Sequence, residues 1–460
     1  MTGRTFPTSR VTARAMLRRF ASLALLAAPL GVAGCSYPYT PRALSAADAP
    51  APAATGAAWK QPVTGEAATT EARAPITILV SIDGFRADYL TRGATPNLSR
   101  LAAGGVSAAM RPSFPSITFP NHWTLVTGLR PDRSGIVGNK MEDAARPGET
   151  FTMASDDPFW WSESTPIWVD AEKAGIRTAT MFWPGANVAV GGTIVPNSHG
   201  RVDGGTRPQD WQQFNQQVTG TQRVNAVLDW MRRPASIRPR LVTLYFDAVD
   251  SAGHAYGPDD ARTTAAAADV DAKIGMLVQG LADLGQPANL VIVADHGMAG
   301  ISNERVIALN DIVDPALYHA VEMGPYAAIN PTPGNQAALE AALLKSHPHL
   351  QCWRKGDIPA RFHYGKNPRV PAYLCLADVG WMVLDKKPVE ARLGGMHGYD
   401  NDAAEMRALF IANGPAFASG KTLPSFDNVD IEPLLRDLLG MPAGTGLDGS
   451  DAPFRGVMKR

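Results

Sequence analysis

Three apolar runs, each followed by acidic residues, constrain the fold of this chain more than any other feature of its sequence. They are rich in β-branched side chains and occupy residues 76–82, 241–246 and 289–294. Uninterrupted runs of this kind are typical of strands that are buried on both faces of a parallel sheet. The residues that follow them are Asp83 after the first run, Asp247 and Asp250 after the second, and Asp295 and His296 after the third. Two further strands are predicted over residues 177–182 and 408–412.

Helical patterns lie between these predicted strands. Thr95 and Pro96 form the start signal of a helix that should end near Ala103, before two glycines. Residues 260–284 carry apolar side chains at helical spacing, and a short helix is predicted over residues 431–439. The alternation predicts an α/β fold with a mostly parallel sheet flanked by helices. Because ligands bind beyond the carboxyl ends of such strands, the acidic residues should meet at one site.

The composition excludes other classes of protein. The 460 residues include 43 basic and 43 acidic side chains, so the formal net charge is zero. A nucleic-acid-binding protein normally has a basic surplus, and we therefore expect no nucleic-acid partner. Hydrophobic residues make up 45% of the chain, which argues against a disordered protein. Three cysteines cannot all pair with one another, so one needs another role.

The N-terminal segment has the features of an export signal and a tether. Residues 1–20 contain five arginines and no acidic residue, and an apolar run extends from Phe20 to Val32. This arrangement predicts a secretory signal peptide, since the run is too short to span a membrane. The following Val-Ala-Gly-Cys segment resembles the bacterial lipobox, in which a lipid is attached to the cysteine, here Cys35. The stretch up to residue 74 is rich in alanine and proline and predicts a flexible tether.

We therefore expect an exported bacterial protein that is periplasmic and anchored to the outer membrane through a lipid on Cys35. The predicted organisation is a signal peptide with a lipobox over residues 1–35, a tether over 36–74 and a folded domain over 75–460. Cleavage without lipidation would instead give a soluble periplasmic or secreted protein. Met16 offers an alternative start of translation. We expect a monomer that contacts the membrane only through its anchor.

Six residues have the chemistry and the position of zinc ligands. They are Asp83, Asp250, His254, Asp295, His296 and His397. Asp and neutral His bind zinc, and two zinc ions that share a substrate oxygen would use three protein ligands each. Ordinary alternatives exist: Asp83 as a turn residue after a strand, and His254 as a surface histidine. The other six histidines, including His122, have no partner at a recognisable spacing and are interpreted as structural.

Six short segments form a specific combination along the chain. They are residues 81–86, 115–122, 135–139, 250–258, 294–298 and 395–399, with Pro-Ser-Ile-Thr-Phe-Pro-Asn-His in the second and Ala-Asp-His-Gly-Met in the fifth. In this order they resemble the motifs of the nucleotide pyrophosphatase/phosphodiesterase family, the type I phosphodiesterases of the alkaline phosphatase superfamily. The resemblance implies an alkaline-phosphatase-like fold and makes residues 75–460 a catalytic phosphodiesterase domain. Residues from about 300 to 393 show weaker alternation and predict a smaller inserted α+β lobe.

The resemblance also implies roles for individual residues. One zinc ion would be held by Asp250, His254 and His397, and the other by Asp83, Asp295 and His296. Thr118 would be the nucleophile and would contact the second zinc ion. Asn139 would donate a hydrogen bond to the phosphoryl group. Phe119 and Tyr245 would pack on the base or leaving-group side of the substrate.

Thr118 also has a more ordinary interpretation. It precedes a predicted helix over about residues 120–126, and threonine is a common N-cap residue. Metal coordination is one way to activate a hydroxyl, and a helix N-terminus favours negative charge. We adopt the nucleophile interpretation because the six candidate metal ligands accompany it.

The expected reaction is a two-step hydrolysis through a phosphothreonine, with net retention at phosphorus. Thr118 is followed by Phe119, Pro120 and Asn121, with no cation that would bind the extra charge of a monoester. Diesters, including nucleotides and their pyrophosphate bonds, are therefore the expected substrates. The alternatives are a phosphomonoesterase, a phosphonate or phospholipid-headgroup hydrolase, and a non-catalytic lipid-anchored binding protein. The complete set of ligands argues against the last.

Cys352 and Cys375 lie in the predicted lobe. Exported proteins meet oxidising conditions, so these two cysteines should form a disulfide. The alternative is two buried free thiols. With a lipid on Cys35, the disulfide would account for all three cysteines.

Overall fold

The computed structural model describes residues 73–389 and 393–459. The predicted signal peptide, the lipobox with Cys35 and most of the predicted tether lie outside these residues. No helix in the described part of the chain is long and apolar enough to cross a membrane.

The described chain alternates between strands and helices over most of its length. The strands are β1 (Ile76–Ile82), β2 (Val106–Met110), β3 (Met141–Glu142), β4 (Thr150–Phe151), β5 (Thr178–Met181), β6 (Val190–Ile194), β7 (Val202–Thr206), β8 (Asp210–Gln212), β9 (Leu241–Phe246), β10 (Ala288–Val293), β11 (Ala299–Ile301), β12 (Val306–Ala308), β13 (Tyr318–Glu322), β14 (Tyr326–Pro331), β15 (Leu350–Arg354), β16 (Tyr373–Ala377), β17 (Met382–Leu384), β18 (Gly394–Met396), β19 (Ala408–Asn413) and β20 (Lys421–Thr422). The α-helices are α1 (Pro96–Ala103), α2 (Thr118–Thr127), α3 (Pro131–Ser134), α4 (Ile167–Lys173), α5 (Gly220–Met231), α6 (Ala248–Tyr256), α7 (Ala261–Asp283), α8 (Gln336–Leu343) and α9 (Ile431–Leu439).

The central sheet has eight strands in the order β20-β2-β19-β10-β1-β9-β5-β8. The pairings from β10 through β8 are all parallel, whereas β19 runs antiparallel to both of its neighbours. Every residue of β1 and β9 is buried, as expected for strands that are covered by helices on both faces. The predicted α/β architecture is confirmed.

The carboxyl ends of the three central strands lie side by side. Ser81 of β1 is in register with Tyr245 of β9 on one side and with Val293 of β10 on the other. Because the strands are parallel and in register, the residues that follow them emerge at the same edge of the sheet.

Helices α1, α7 and α9 are found where the sequence predicts them, but α2 begins two residues earlier than expected. Its first residue is Thr118, and its N-cap is Ile117, which makes no capping bond through its side chain. Pro120 is accommodated because the first turn of a helix does not require its backbone N–H. The hydroxyl of Thr118 is therefore not used to cap this helix.

A second sheet lies in the segment for which an inserted lobe is predicted. It has the order β13-β14-β16-β15, is antiparallel throughout and shares an apolar cluster with α8. Cys352 and Cys375 face each other on β15 and β16 and form a disulfide with an S–S distance of 2.01 Å. Strands β11 and β18 pair with each other in a separate two-stranded sheet, so the two ends of this segment meet.

Candidate metal centre

The acidic residues that follow β1, β9 and β10 come together at the carboxyl edge of the central sheet. Asp83 and Asp295 are almost completely buried, and Asp250 lies in the first turn of α6. Gly84 allows this close approach: its φ is +66°, and a Cβ atom there would lie 3.0 Å from Asp250. Its backbone N–H donates to Oδ1 of Asp295 at 3.1 Å.

One group of possible ligands consists of Asp250, His254 and His397. His254 lies one helical turn after Asp250, which brings its Nε2 to 3.3 Å from the Asp250 carboxylate. Nε2 of His397 lies 3.5 Å from the other oxygen of Asp250 and 3.1 Å from Nε2 of His254. These atoms are close enough to bind one cation together.

A second group surrounds Asp83. Nε2 of His296 lies 2.9 Å from Oδ2 of Asp295 and 3.6 Å from Oδ1 of Asp83. The hydroxyl of Thr118 lies 3.3 Å from the same nitrogen. Asp83 can also share a cation with Asp250 and His296, or with His122 and Asp295, so the two groups adjoin each other.

The three histidines present the same ring atom to this space. Their Nδ1 atoms contact backbone carbonyls: His254 at Gly395 (2.9 Å), His296 at Gly297 (2.9 Å) and His397 at Ser116 (3.2 Å). A hydrogen bond from Nδ1–H to a carbonyl selects the tautomer in which Nε2 carries the lone pair, which is the arrangement of metal-binding histidines.

The carboxylates contain buried oxygens with no hydrogen-bond partner in the described part of the chain. These are Oδ1 of Asp83, Oδ1 of Asp250 and Oδ2 of Asp295. Buried polar atoms are normally satisfied, and three such anionic oxygens in one place call for a cation. The residues therefore fit one or more divalent metal ions of the type that binds Asp and His.

The pKa values of these groups reflect the same crowding of charge. Burial raises the pKa of Asp83 well above its usual value, and the neighbouring Asp295 and Asp250 raise it further. Burial also raises the pKa of Asp250. Burial lowers the pKa of His397, with His296 and His254 acting in the same direction, so this imidazole is kept neutral. A bound cation would relieve the repulsion between the carboxylates.

Thr118 and Asn139 lie next to each other beside this centre. Thr118 is the first residue of α2, and the N–H of Phe119 donates to Oδ1 of Asn139 at 2.9 Å. Because the amide oxygen of Asn139 is held in this way, its NH₂ group is the part that can donate to a ligand.

Tyr245 contacts one of the possible metal ligands. Its ring is only 8% exposed, and its hydroxyl donates to Oδ2 of Asp83 at 2.7 Å. Phe214 is an aromatic side chain near Tyr245 that is 48% exposed, and the two ring centroids lie 5.7 Å apart. No sequence pattern marks Phe214, because a single aromatic residue in a polar segment has no periodicity.

His122 was also missed as part of the site. It is completely buried, and its Nδ1 contacts the Thr118 carbonyl at 2.9 Å and lies 3.4 Å from Asp295. Its Nε2 contacts the hydroxyl of Ser81 at 2.8 Å. The available signal was its position four residues after Thr118 on the same helix. Asp247 is not among the possible ligands and pairs with Arg223 at 2.7 Å.

Residues 77–400 match the family model described as type I phosphodiesterase/nucleotide pyrophosphatase. The chain is 37% identical to the bis(5'-adenosyl)-triphosphatase of Xenopus laevis over 376 residues, which are 81% of this chain and 79% of the relative. It is 36% identical to the human ectonucleotide pyrophosphatase/phosphodiesterase family member 5 over 372 residues, 80% of this chain and 74% of the relative. The structure of murine family member 5, an inactive threonine-to-alanine variant in complex with AMP, is similar with a TM-score of 0.78 and 33% identity, covering 84% of this chain and 100% of that one.

Proposed function

Because the chain belongs to the type I phosphodiesterase/nucleotide pyrophosphatase family, we propose that it is a metal-dependent hydrolase of nucleotide phosphodiester and pyrophosphate bonds. One observation carries this proposal. Carboxylate oxygens that have no hydrogen-bond partner among the described residues converge with three histidine Nε2 atoms beside the hydroxyl of Thr118, at the N-terminus of a helix.

The cofactor we propose is a pair of zinc ions. Asp250, His254 and His397 would hold one ion, and Asp83, Asp295 and His296 would hold the other, with Thr118 as an additional ligand. When bound, the ions would supply Lewis acidity and positive charge at the reacting phosphoryl group. The donor set of oxygen and imidazole nitrogen atoms suits zinc.

The reaction we propose uses Thr118 as the nucleophile. Its Oγ attacks phosphorus, the alcohol or phosphate leaves on the opposite side, and water then hydrolyses the phosphothreonine. The N-terminus of α2 favours the negative charge that develops at this place. Asn139 donates to a non-bridging phosphoryl oxygen. The inactivity of a threonine-to-alanine variant of murine family member 5 supports a threonine in this role.

The substrate we propose is a nucleotide diester or pyrophosphate. Phe119 borders the site, with Phe151 and Trp161 packed behind it at ring distances of 6.1 Å. Phe214 supplies an exposed aromatic surface on the side of Tyr245. Aromatic faces of this kind bind nucleobases in a sequence-tolerant way. The AMP complex of the murine relative is consistent with this substrate class.

Two assays test the proposal with one preparation of enzyme. We expect p-nitrophenyl thymidine monophosphate to be hydrolysed far faster than p-nitrophenyl phosphate, and the reverse preference would exclude the diesterase assignment. A chelator should abolish the activity and added zinc should restore it.

Thr118→Ala should retain zinc but lose turnover by about four orders of magnitude or more, as is typical when a nucleophile is removed. Turnover close to that of the wild type would exclude Thr118 as the nucleophile.

We also propose that the protein is exported to the periplasm and anchored through a lipid on Cys35. The basic segment, the apolar run and the Val-Ala-Gly-Cys sequence support this proposal. Metabolic labelling with radioactive palmitate should mark the wild-type protein but not Cys35→Ser. Equal labelling of both would exclude Cys35 as the lipidation site.

A further inference from the structure

The short segment that carries Asn139 is held by a strand of the second sheet. The backbone N–H of Lys140 donates to the carboxylate of Glu322 at 3.1 Å. Glu142, on β3, contacts Nε2 of His319 at 2.7 Å. Both contact residues belong to β13, and the contacts join parts of the chain that are 182 and 177 residues apart.

A β-bulge in β13 makes this double contact possible. In a regular strand, His319 and Glu322 would point to opposite faces because they are three residues apart. The register of β13 against β14 shifts between Ala320 and Glu322, which leaves Val321 as the extra residue. One extra residue restores the two side chains to the same side, where both reach the segment after Asn139.

Asn139 is therefore fixed at both of its ends. Its side-chain oxygen accepts from Phe119, in the first turn of α2, and the peptide that follows it is held by Glu322. We propose that Glu322 is a positioning residue, which holds the Lys140 peptide so that the amide of Asn139 is aimed at the phosphoryl oxygen. The inference rests on the role proposed for Asn139 in the diesterase reaction.

The surroundings of Glu322 support a functional role over a purely structural one. Burial raises the pKa of Glu322 to about 7, although Lys140 opposes this shift. Among the described residues no side chain forms an ion pair with the Glu322 carboxylate, and stability alone would not favour burying a carboxylate in this way. Perturbed groups of this kind are more frequent at functional sites.

A double-mutant cycle with Asn139 tests the inference. In the otherwise wild-type enzyme, Glu322→Ala should lower kcat for p-nitrophenyl thymidine monophosphate about tenfold, since misplacing a contacting group by about 1 Å can lower a rate by up to about 100-fold and the displacement expected here is smaller. In the Asn139→Ala background the same substitution should change kcat by less than about twofold, because the group that it positions is gone. Glu322→Gln keeps an acceptor oxygen and should restore most of the activity. Zinc content should be unchanged in all variants.

Two further variants complete the experiment. Glu322→Leu removes the acceptor while keeping an apolar side chain of similar volume, and it replaces Glu322→Ala if the alanine variant does not fold. Glu340→Gln, which removes a carboxylate of α8 that contacts Arg354 and Tyr373 of the second sheet, is the matched control and should have wild-type kcat. Equal losses in the two Asn139 backgrounds, or no loss with Ala or Leu, would overturn the inference. Full activity of Asn139→Ala would instead refute the role proposed for Asn139.

Discussion

The hydroxyl of Tyr245 provides a test of how the metal centre is built. It donates to Oδ2 of Asp83 at 2.7 Å, while Oδ1 of the same carboxylate is buried without a partner in the described part of the chain. The hydrogen bond thus determines which oxygen of Asp83 faces the proposed metal position. Burial raises the pKa of Tyr245 well above its usual value, so the hydroxyl stays protonated and remains a donor.

Tyr245→Phe removes this donor and leaves the buried ring in place. A hydrogen bond to a charged acceptor contributes about 1.5–3 kcal/mol. About 1.4 kcal/mol corresponds to a factor of ten in an equilibrium constant. The energy of this hydrogen bond therefore agrees with the loss of metal affinity, about 10–100-fold, that is typical when a residue hydrogen-bonded to a metal ligand is removed. We therefore expect Tyr245→Phe to bind the zinc ion proposed for Asp83, Asp295 and His296 about 10–100-fold less tightly than the wild type does.

The assay is competition for zinc with a chromophoric chelator, followed by thermal unfolding of the zinc-loaded and metal-free proteins. The matched control is Tyr89→Phe, since Tyr89 is 3% exposed and its hydroxyl has no partner among the described residues. The metal-free Tm of Tyr245→Phe should be close to that of the wild type, and the stabilisation by zinc should be smaller. Unchanged zinc affinity, or an equal loss in Tyr89→Phe, would refute the reasoning.

Three other perturbations have defined outcomes. Burial raises the pKa of Glu432 from 4.5 to about 7, so the stability that the protonated carboxyl contributes is fully present below about pH 4.5 and is lost as the pH rises to about 7. Glu432→Gln should flatten the fall of Tm across this range, and parallel Tm curves would contradict this. Replacing Cys352 and Cys375 with serine should destabilise the second sheet by about 2–4 kcal/mol in denaturant unfolding, whereas an unchanged midpoint would show that the disulfide contributes little. Phe214→Ala should raise KM for a nucleotide diester about tenfold through the loss of stacking while sparing bis(p-nitrophenyl) phosphate, and equal effects on both would exclude nucleobase contact.

Much of the fold was accessible from local pattern. The buried strands β1, β9 and β10 are uninterrupted apolar runs, and their neighbouring helices begin and end at recognisable signals, as in α1 with Pro96 at its first position. The start of α2 was placed two residues too late, because Pro120 suggested a helix start but occupies the third position of the first turn. Periodicity also could not show that β19 runs antiparallel, since strand direction depends on the connections rather than on the side chains.

The sequence by itself determined which residue types are available for metal chemistry and which strand ends carry them, because parallel strands align their carboxyl ends. It also identified the family through short motifs in a set order. Only the tertiary structure decided the contacts among side chains that are distant along the chain: the hydroxyl of Tyr245 on Asp83, His122 between Thr118 and Asp295, and Glu322 on the peptide after Asn139. These contacts depend on packing angles and on a single-residue bulge in β13, which have no local signature in the sequence.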